Sequence, residues 1–228
     1  RINNRYTNSL ILSAIGGRKY PFHIMPSHYL SVLEKNKIPV ARNLSNISWY
    51  IYVFLLWSYG NIYLFKMLIK LMPIKNLNQK GSNSALFINL ILENLPNKNK
   101  AIYSYNLLTW YVNWEKRNRS IINIFHTVET SKVMQVNRVK LSKLNSDFLP
   151  FNSWNSWLHL MGWGIKSSFV AFLDLLLGNW MHALIFSEAI KSKVVDIQPN
   201  ELIMKEYWFD HGLYIYRPLW TYLAEEKY

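Results

Sequence analysis

The sequence contains no cysteine. Disulfides and thiolate-based metal sites are thereby excluded, and a reducing compartment is compatible with the chain. Acidic residues are scarce: 13 Asp and Glu stand against 26 Lys and Arg, for a formal charge of +13. The aspartates are Asp147, Asp174, Asp196 and Asp210, and no two form an Asp-x-Asp pair. A metal-dependent nucleotide-sugar site of that kind therefore has no support. Glycosidases usually place two carboxylates about one bond, so this shortage also disfavours sugar hydrolysis. No HExxH, GxSxG or P-loop pattern occurs. The basic residues are scattered, with no block of five or six.

What the chain has in quantity is apolar and aromatic side chains. Hydrophobic residues make up 50% and aromatics 16% of 228 residues, well outside the composition of disordered chains, so a packed core is expected. The length suits one large domain or two small ones. The positive charge implies attraction to polyanions such as nucleic acid, anionic headgroups or phosphorylated substrates. The chain is also rich in Asn, Lys and Ile, as proteins of AT-rich genomes are, so part of the charge reflects codon bias. It begins at Arg1 and ends at Tyr228 inside a helical pattern. The expectation is a fragment, inactive alone.

Short apolar runs alternating with helical patterns predict an α/β fold with mainly parallel strands. The strand candidates are 9–15 (SLILSAI), 120–125 (SIINIF) and 205–209 (KEYWF). Segment 85–95 reads as a helix stopped by Pro96, and 129–144 as a polar, basic helix. Residues 145–164, with Pro150, Gly162, Gly164 and three tryptophans, read as an irregular connection between subdomains. A helix capped by Ser167 or Ser168 should run to Leu177 and stop at Gly178. Asn179 should cap a second helix to about Val194. The expected division is an N-terminal α/β subdomain at 1–148, a connection at 149–166, and a closing part at 167–228.

The longest hydrophobic stretch is 47–65 (ISWYIYVFLLWSYGNIYLF), about the length that spans a bilayer. Ser58, Gly60 and Asn61 interrupt it, and its tyrosines and tryptophans suit an interface. It is expected to be a helix that is buried or lies on a membrane surface. A single-pass anchor is the second reading.

The candidate site residues follow predicted strands. Gly16, Gly17 and Arg18 follow the first, His126 the second, and Asp210, His211 and Gly212 the last. In a parallel sheet all would lie along the edge where α/β crevices form. His211 or Asp210 is a candidate base and Arg217, beside the helix-starting Pro218, a candidate cation for a phosphate. The others are candidate substrate contacts. A surface turn, with Arg217 merely paired to a carboxylate, is the plainer reading of the closing segment. His23 and His28, without Cys or acidic neighbours, make a poor metal pair. Asp174, His182 and Glu188 read as partnered structural residues.

The segments FDHGLYIYRPLWTYLAEEKY (209–228) and LLLGNWMHALIFSEAIKSKVV (175–195) carry a resemblance. They are similar to bacterial polysaccharide biosynthesis PFTS-motif proteins. The Pro-Phe-Thr-Ser motif itself does not occur here and would be expected downstream of Tyr228. The resemblance implies the helix-rich N-terminal part of a two-domain, glycosyltransferase-B-like (Rossmann-like) architecture. It further implies glycosyl transfer in O-antigen or capsule synthesis, expected to be metal-independent because no Asp-x-Asp pair occurs. The substrates would be a nucleotide-sugar and a lipid-linked acceptor, with no cofactor. Location would be cytoplasmic and peripheral at an anionic inner-membrane surface. The alternatives are a non-catalytic membrane-associated assembly protein and, last, a nucleic-acid-binding protein. The final class lacks any recognisable module, so no nucleic acid is expected as partner.

Overall fold

The computed structural model of the chain describes residues 23–74, 81–88, 108, 111, 123–127, 134–136, 139–209 and 218–227. Among these it is α/β and helix-rich, with four parallel strands, as the alternation of patterns predicts. The helices are α1 (Ser27–Lys35), α2 (Arg42–Lys70), α3 (Trp154–Leu176), α4 (Met181–Ile197) and α5 (Leu219–Lys227). The strands are β1 (Ser84–Ile88), β2 (Asn123–His126), β3 (Met134–Val136), β4 (Val139–Lys143) and β5 (Glu206–Phe209). The chain divides into two compact units, Arg1–Asn61 with Ser168–Phe186, and Ile62–Ser167 with Ser187–Tyr228. These units are discontinuous, unlike the linear division at 148 and 166, because segment 168–186 packs with the first half of α2.

The second unit holds the sheet, in the order β3-β4-β2-β1-β5. β4, β2, β1 and β5 run parallel, and β3 adds an antiparallel edge. β1 is central, and all five residues of its SALFI run are buried. A strand covered on both faces reads as a continuous apolar run, not as an alternating one. That is why 85–95 mimics a helix in the sequence, and its first part is corrected here to a strand. Segment 129–144 is corrected likewise: Met134–Val136 and Val139–Lys143 pair antiparallel, with Val136 opposite Val139. Their β-branched residues suit strands, and the basic residues Lys132, Arg138, Lys140 and Lys143 gave a false helical spacing. The expected strands at 120–125 and 205–209 are β2 and β5, displaced by one to three residues at their ends. Strand candidate 9–15 lies outside the described residues.

One close approach fixes the entry to β1. The Lys205 N–H donates to the carbonyls of Gly81 and Ser84, at 3.0 Å each. A Cβ on Gly81 would stand 2.0 Å from the Ile203 carbonyl oxygen, so no side chain fits there.

α3 overturns the expected irregular connection. It begins at Trp154 and passes through Gly162 and Gly164. Gly164 is buried, and a Cβ there would lie 2.5 Å from Leu64 Cδ2 in α2. The glycine lets the two helices approach closely, and this packing overrides its weak helix propensity. The Trp157 indole N–H donates to the Leu68 carbonyl at 2.8 Å in the same region.

In the first unit α3 ends as expected, at Gly178. This residue has φ +89°, in the left-handed region, and its N–H donates to Leu175 O at 3.1 Å. The Asn179 N–H donates to Asp174 O at 2.7 Å, completing a Schellman stop. Asp174 and His182 then pair side chain to side chain across the α3–α4 turn. Trp49, Val53, Leu175 and Ala183 form the core here, flanked by Trp57, Trp180 and Leu184. A smaller cluster of Met25, Leu30 and Leu33 seats α1.

α2 is one helix of 29 residues that includes the whole 47–65 stretch. Its buried positions, among them Trp49, Val53, Gly60, Leu64 and Met67, are spaced by three, four or seven residues along one stripe. Burial of the segment as a whole is not what forms. Only 22% of its most apolar window is buried. By length and composition it is the one helix among the described residues that could cross a membrane.

Candidate functional site

Strand ends place the candidate site in the second unit. Ile88 and Phe209 end β1 and β5 side by side in register. The turn after β4 is closed by Ser146, whose Oγ accepts the Phe148 N–H at 3.3 Å and donates to the Phe148 carbonyl. That turn presents Asp147. One helical turn of α4 supplies Glu188 and Lys191, joined by a 2.9 Å ion pair. Lys191 also lies over the Tyr63 ring, 5.7 Å from its centroid. Asp147, Glu188, Lys191, Ile88, Phe209 and Trp220 line a cavity of about 40 Å³ at the carboxyl edge of the sheet. That is room for about one water molecule.

The electrostatics of this cluster are uneven. Burial pushes the Asp147 carboxyl above its ordinary value, against the lowering pull of the Lys191 and Lys70 charges. Glu188 adds to the rise. Glu188 Oε2 is buried without a hydrogen-bond partner. Such an orphaned carboxylate oxygen is costly unless something polar comes to it. Burial also pushes the Tyr207 phenol up to about 12, with Asp147 adding a small increment.

Tyr207 links the cluster to a larger cleft of about 490 Å³, lined by Met204, Lys205, Tyr207, Phe209, Thr221 and Glu225. Its size matches small-molecule sites. The wall is rigid. Trp220 is 2% exposed and packs its ring against Phe148, Tyr207 and Phe209, with centroids 5.1, 4.9 and 6.1 Å away. On β5 the Glu206 carboxylate accepts from the Tyr111 hydroxyl at 2.9 Å and the Trp208 indole at 2.8 Å. Lys227 fastens α5 to the end of α4 by donating to the carbonyls of Val195, Asp196 and Gln198. A cation at a helix C-terminus satisfies orphan carbonyls and the helix dipole together.

Of the site residues expected from sequence, His126 is described. It closes β2 at the carboxyl edge, opposite Phe87 of β1 and Lys143 of β4. It is 1% exposed, so its ring belongs to the interior. Gly16, Gly17, Arg18, Asp210, His211, Gly212 and Arg217 lie outside the described residues. The elements flanking the closing four are as expected: β5 ends at Phe209, and α5 begins at Leu219 after Pro218. Asp174, His182 and Glu188 are partnered, as read from sequence.

Sequence reasoning missed Asp147 and Lys191 as site residues. Asp147 sits in a segment of mixed character with no motif around it. Its signal was its rarity, as one of few aspartates in the chain, and its place after a strand that had been read as a helix. Among the described residues no group of three or more His, Asp and Glu could hold a metal ion.

No protein-family model matches the chain, and no curated protein or solved structure is significantly similar to it. The class that the structure defines is therefore that of a helix-rich α/β protein with a parallel sheet and a polar cluster at its carboxyl edge.

Proposed function

We propose that this protein takes part in surface-polysaccharide synthesis by metal-independent glycosyl transfer, within a glycosyltransferase-B-like, Rossmann-like architecture. The observation that carries the reading is the Asp147–Glu188–Lys191 cluster at the carboxyl ends of parallel strands, where α/β proteins bind ligands. Glycosyl transfer without metal requires a base for the acceptor hydroxyl and a cation for the departing phosphate. Asp147 is suited to the first role because a carboxylate of raised pKa is a stronger base. Lys191 is suited to the second, with the cleft beside Tyr207 as the place for donor or acceptor. Asp210, His211 and Arg217 follow β5 in the chain and remain further candidates from the sequence. The resemblance of the closing segments to polysaccharide biosynthesis proteins points to the same class of reaction.

The test is surface-polysaccharide production by cells carrying Asp147→Asn in place of the wild-type protein, with thermal stability measured on the purified variant. Loss of a general base lowers a rate by about a hundredfold or more. The expected result is that production collapses while the fold is retained. Wild-type production in a stable Asp147→Asn protein would remove Asp147 from the chemistry.

A further inference from the structure

The first unit carries an apolar surface that its own core does not cover. On α2, Ile47, Ile51 and Leu55 are 58, 54 and 59% exposed. On α3, Phe169 is 61% exposed, and at the α3–α4 turn Leu176 and Leu177 reach 68 and 78%. Large apolar side chains exposed in this number mark an interaction surface. The charge around it narrows the partner. No charged side chain lies between Arg42 and Lys66, a length of about 35 Å in helix. No acidic residue occurs between Glu34 and Glu93. Along α2 and α3 the apolar stretch gives way to an exposed lysine, Lys66 and Lys166 respectively. Asp174, the acid within the stretch, is paired with His182. Tyr50, Tyr52 and Tyr59 are half-exposed along α2, and such amphipathic rings favour the headgroup level. An apolar centre with basic flanks is complementary to an anionic lipid leaflet.

We infer that this face lies against a bilayer containing anionic phospholipid, with Leu176 and Leu177 inserted among the acyl chains. The inference stands apart from the glycosyl-transfer reading, since it uses none of the residues of the Asp147 cluster. The helices keep their backbone groups bonded internally, which a hydrocarbon environment demands.

The absence of native cysteine makes the experiment clean. Leu177→Cys and, as a control on α5, Glu226→Cys are each labelled with an environment-sensitive fluorophore. They are mixed with vesicles of phosphatidylcholine, with or without phosphatidylglycerol. The expected result is co-flotation with the anionic vesicles, weakened by salt. The label at 177 brightens and is shielded from iodide, and that at 226 does neither. Leu176→Asp and Leu177→Asp should each weaken vesicle binding about tenfold, because each removes a large inserted side chain. Failure to float with either vesicle, or equal binding to both at low salt, would overturn the inference. So would a label at 177 that is shielded without lipid as the molecular mass doubles, which would assign the face to a second copy of the chain.

Discussion

Asp147 is a carboxylic acid that the fold holds against its ordinary titration. Its carboxyl is held above the ordinary 3.8 chiefly by burial. The folded chain therefore binds a proton over a range in which the unfolded chain has lost it. The resulting penalty is absent below the unfolded value and complete above the folded one, so stability falls as pH rises through that window. Asp147→Asn removes the penalty, and its thermal midpoint should exceed that of the wild type at neutral pH and converge with it in acid. A midpoint below the wild type at neutral pH would mean that the charge stabilises the fold. Asp196 has the opposite sign. The Lys193 ammonium, 2.6 Å away, holds its carboxyl below the ordinary range. Its contribution is present above the unfolded value and lost as pH falls through the folded one. A residue that destabilises the fold yet occupies a cleft is what functional sites commonly contain. Its chemistry was invisible in the sequence because no spacing motif links Asp147 to Glu188 and Lys191. They meet only once β4 and α4 converge.

Among the elements, those with local signals were readable and those set by packing were not. The stop of α3 at Gly178 follows from a glycine whose φ of +89° suits it to a helix terminus. β5 and α5 were marked by an aromatic run and by Pro218. β1 was not, because a central strand buried on both faces lacks the alternation that distinguishes a strand. The first half of α3 was hidden by Gly162 and Gly164, which resemble loop residues. Their surroundings differ, and this yields a paired prediction. A Cβ at Gly162 meets nothing within 4 Å, whereas one at Gly164 meets Leu64 at 2.5 Å. Gly162→Ala should stabilise the protein by about 0.5–1 kcal/mol through backbone entropy. Gly164→Ala should gain the same term and lose about 1–3 kcal/mol to overpacking. Denaturant midpoints on the two variants check this. Equal shifts would show that α2 and α3 are not closely packed at that level.

At the scale of the whole molecule the fold class was legible from alternation, and the charge from composition. The surface was not, because 47–65 reads alike as a core helix and as a lipid-facing one until burial distinguishes its faces. The site and the apolar face use different residues, so catalysis and membrane contact can be tested separately. The central claim is that the Asp147 cluster serves an anionic sugar donor, and the most direct measurement is equilibrium binding. Nucleoside diphosphate sugars are titrated into the purified chain, with intrinsic tryptophan fluorescence as the signal, since Trp220 lines the cavity and packs against its wall. The account predicts saturable binding. It predicts about tenfold or greater weakening in Lys191→Ala, as expected for loss of a charge-assisted contact. In Asp147→Asn binding is retained, because the base acts on the acceptor. Absence of saturable binding, or identical affinity in Lys191→Ala, would contradict it.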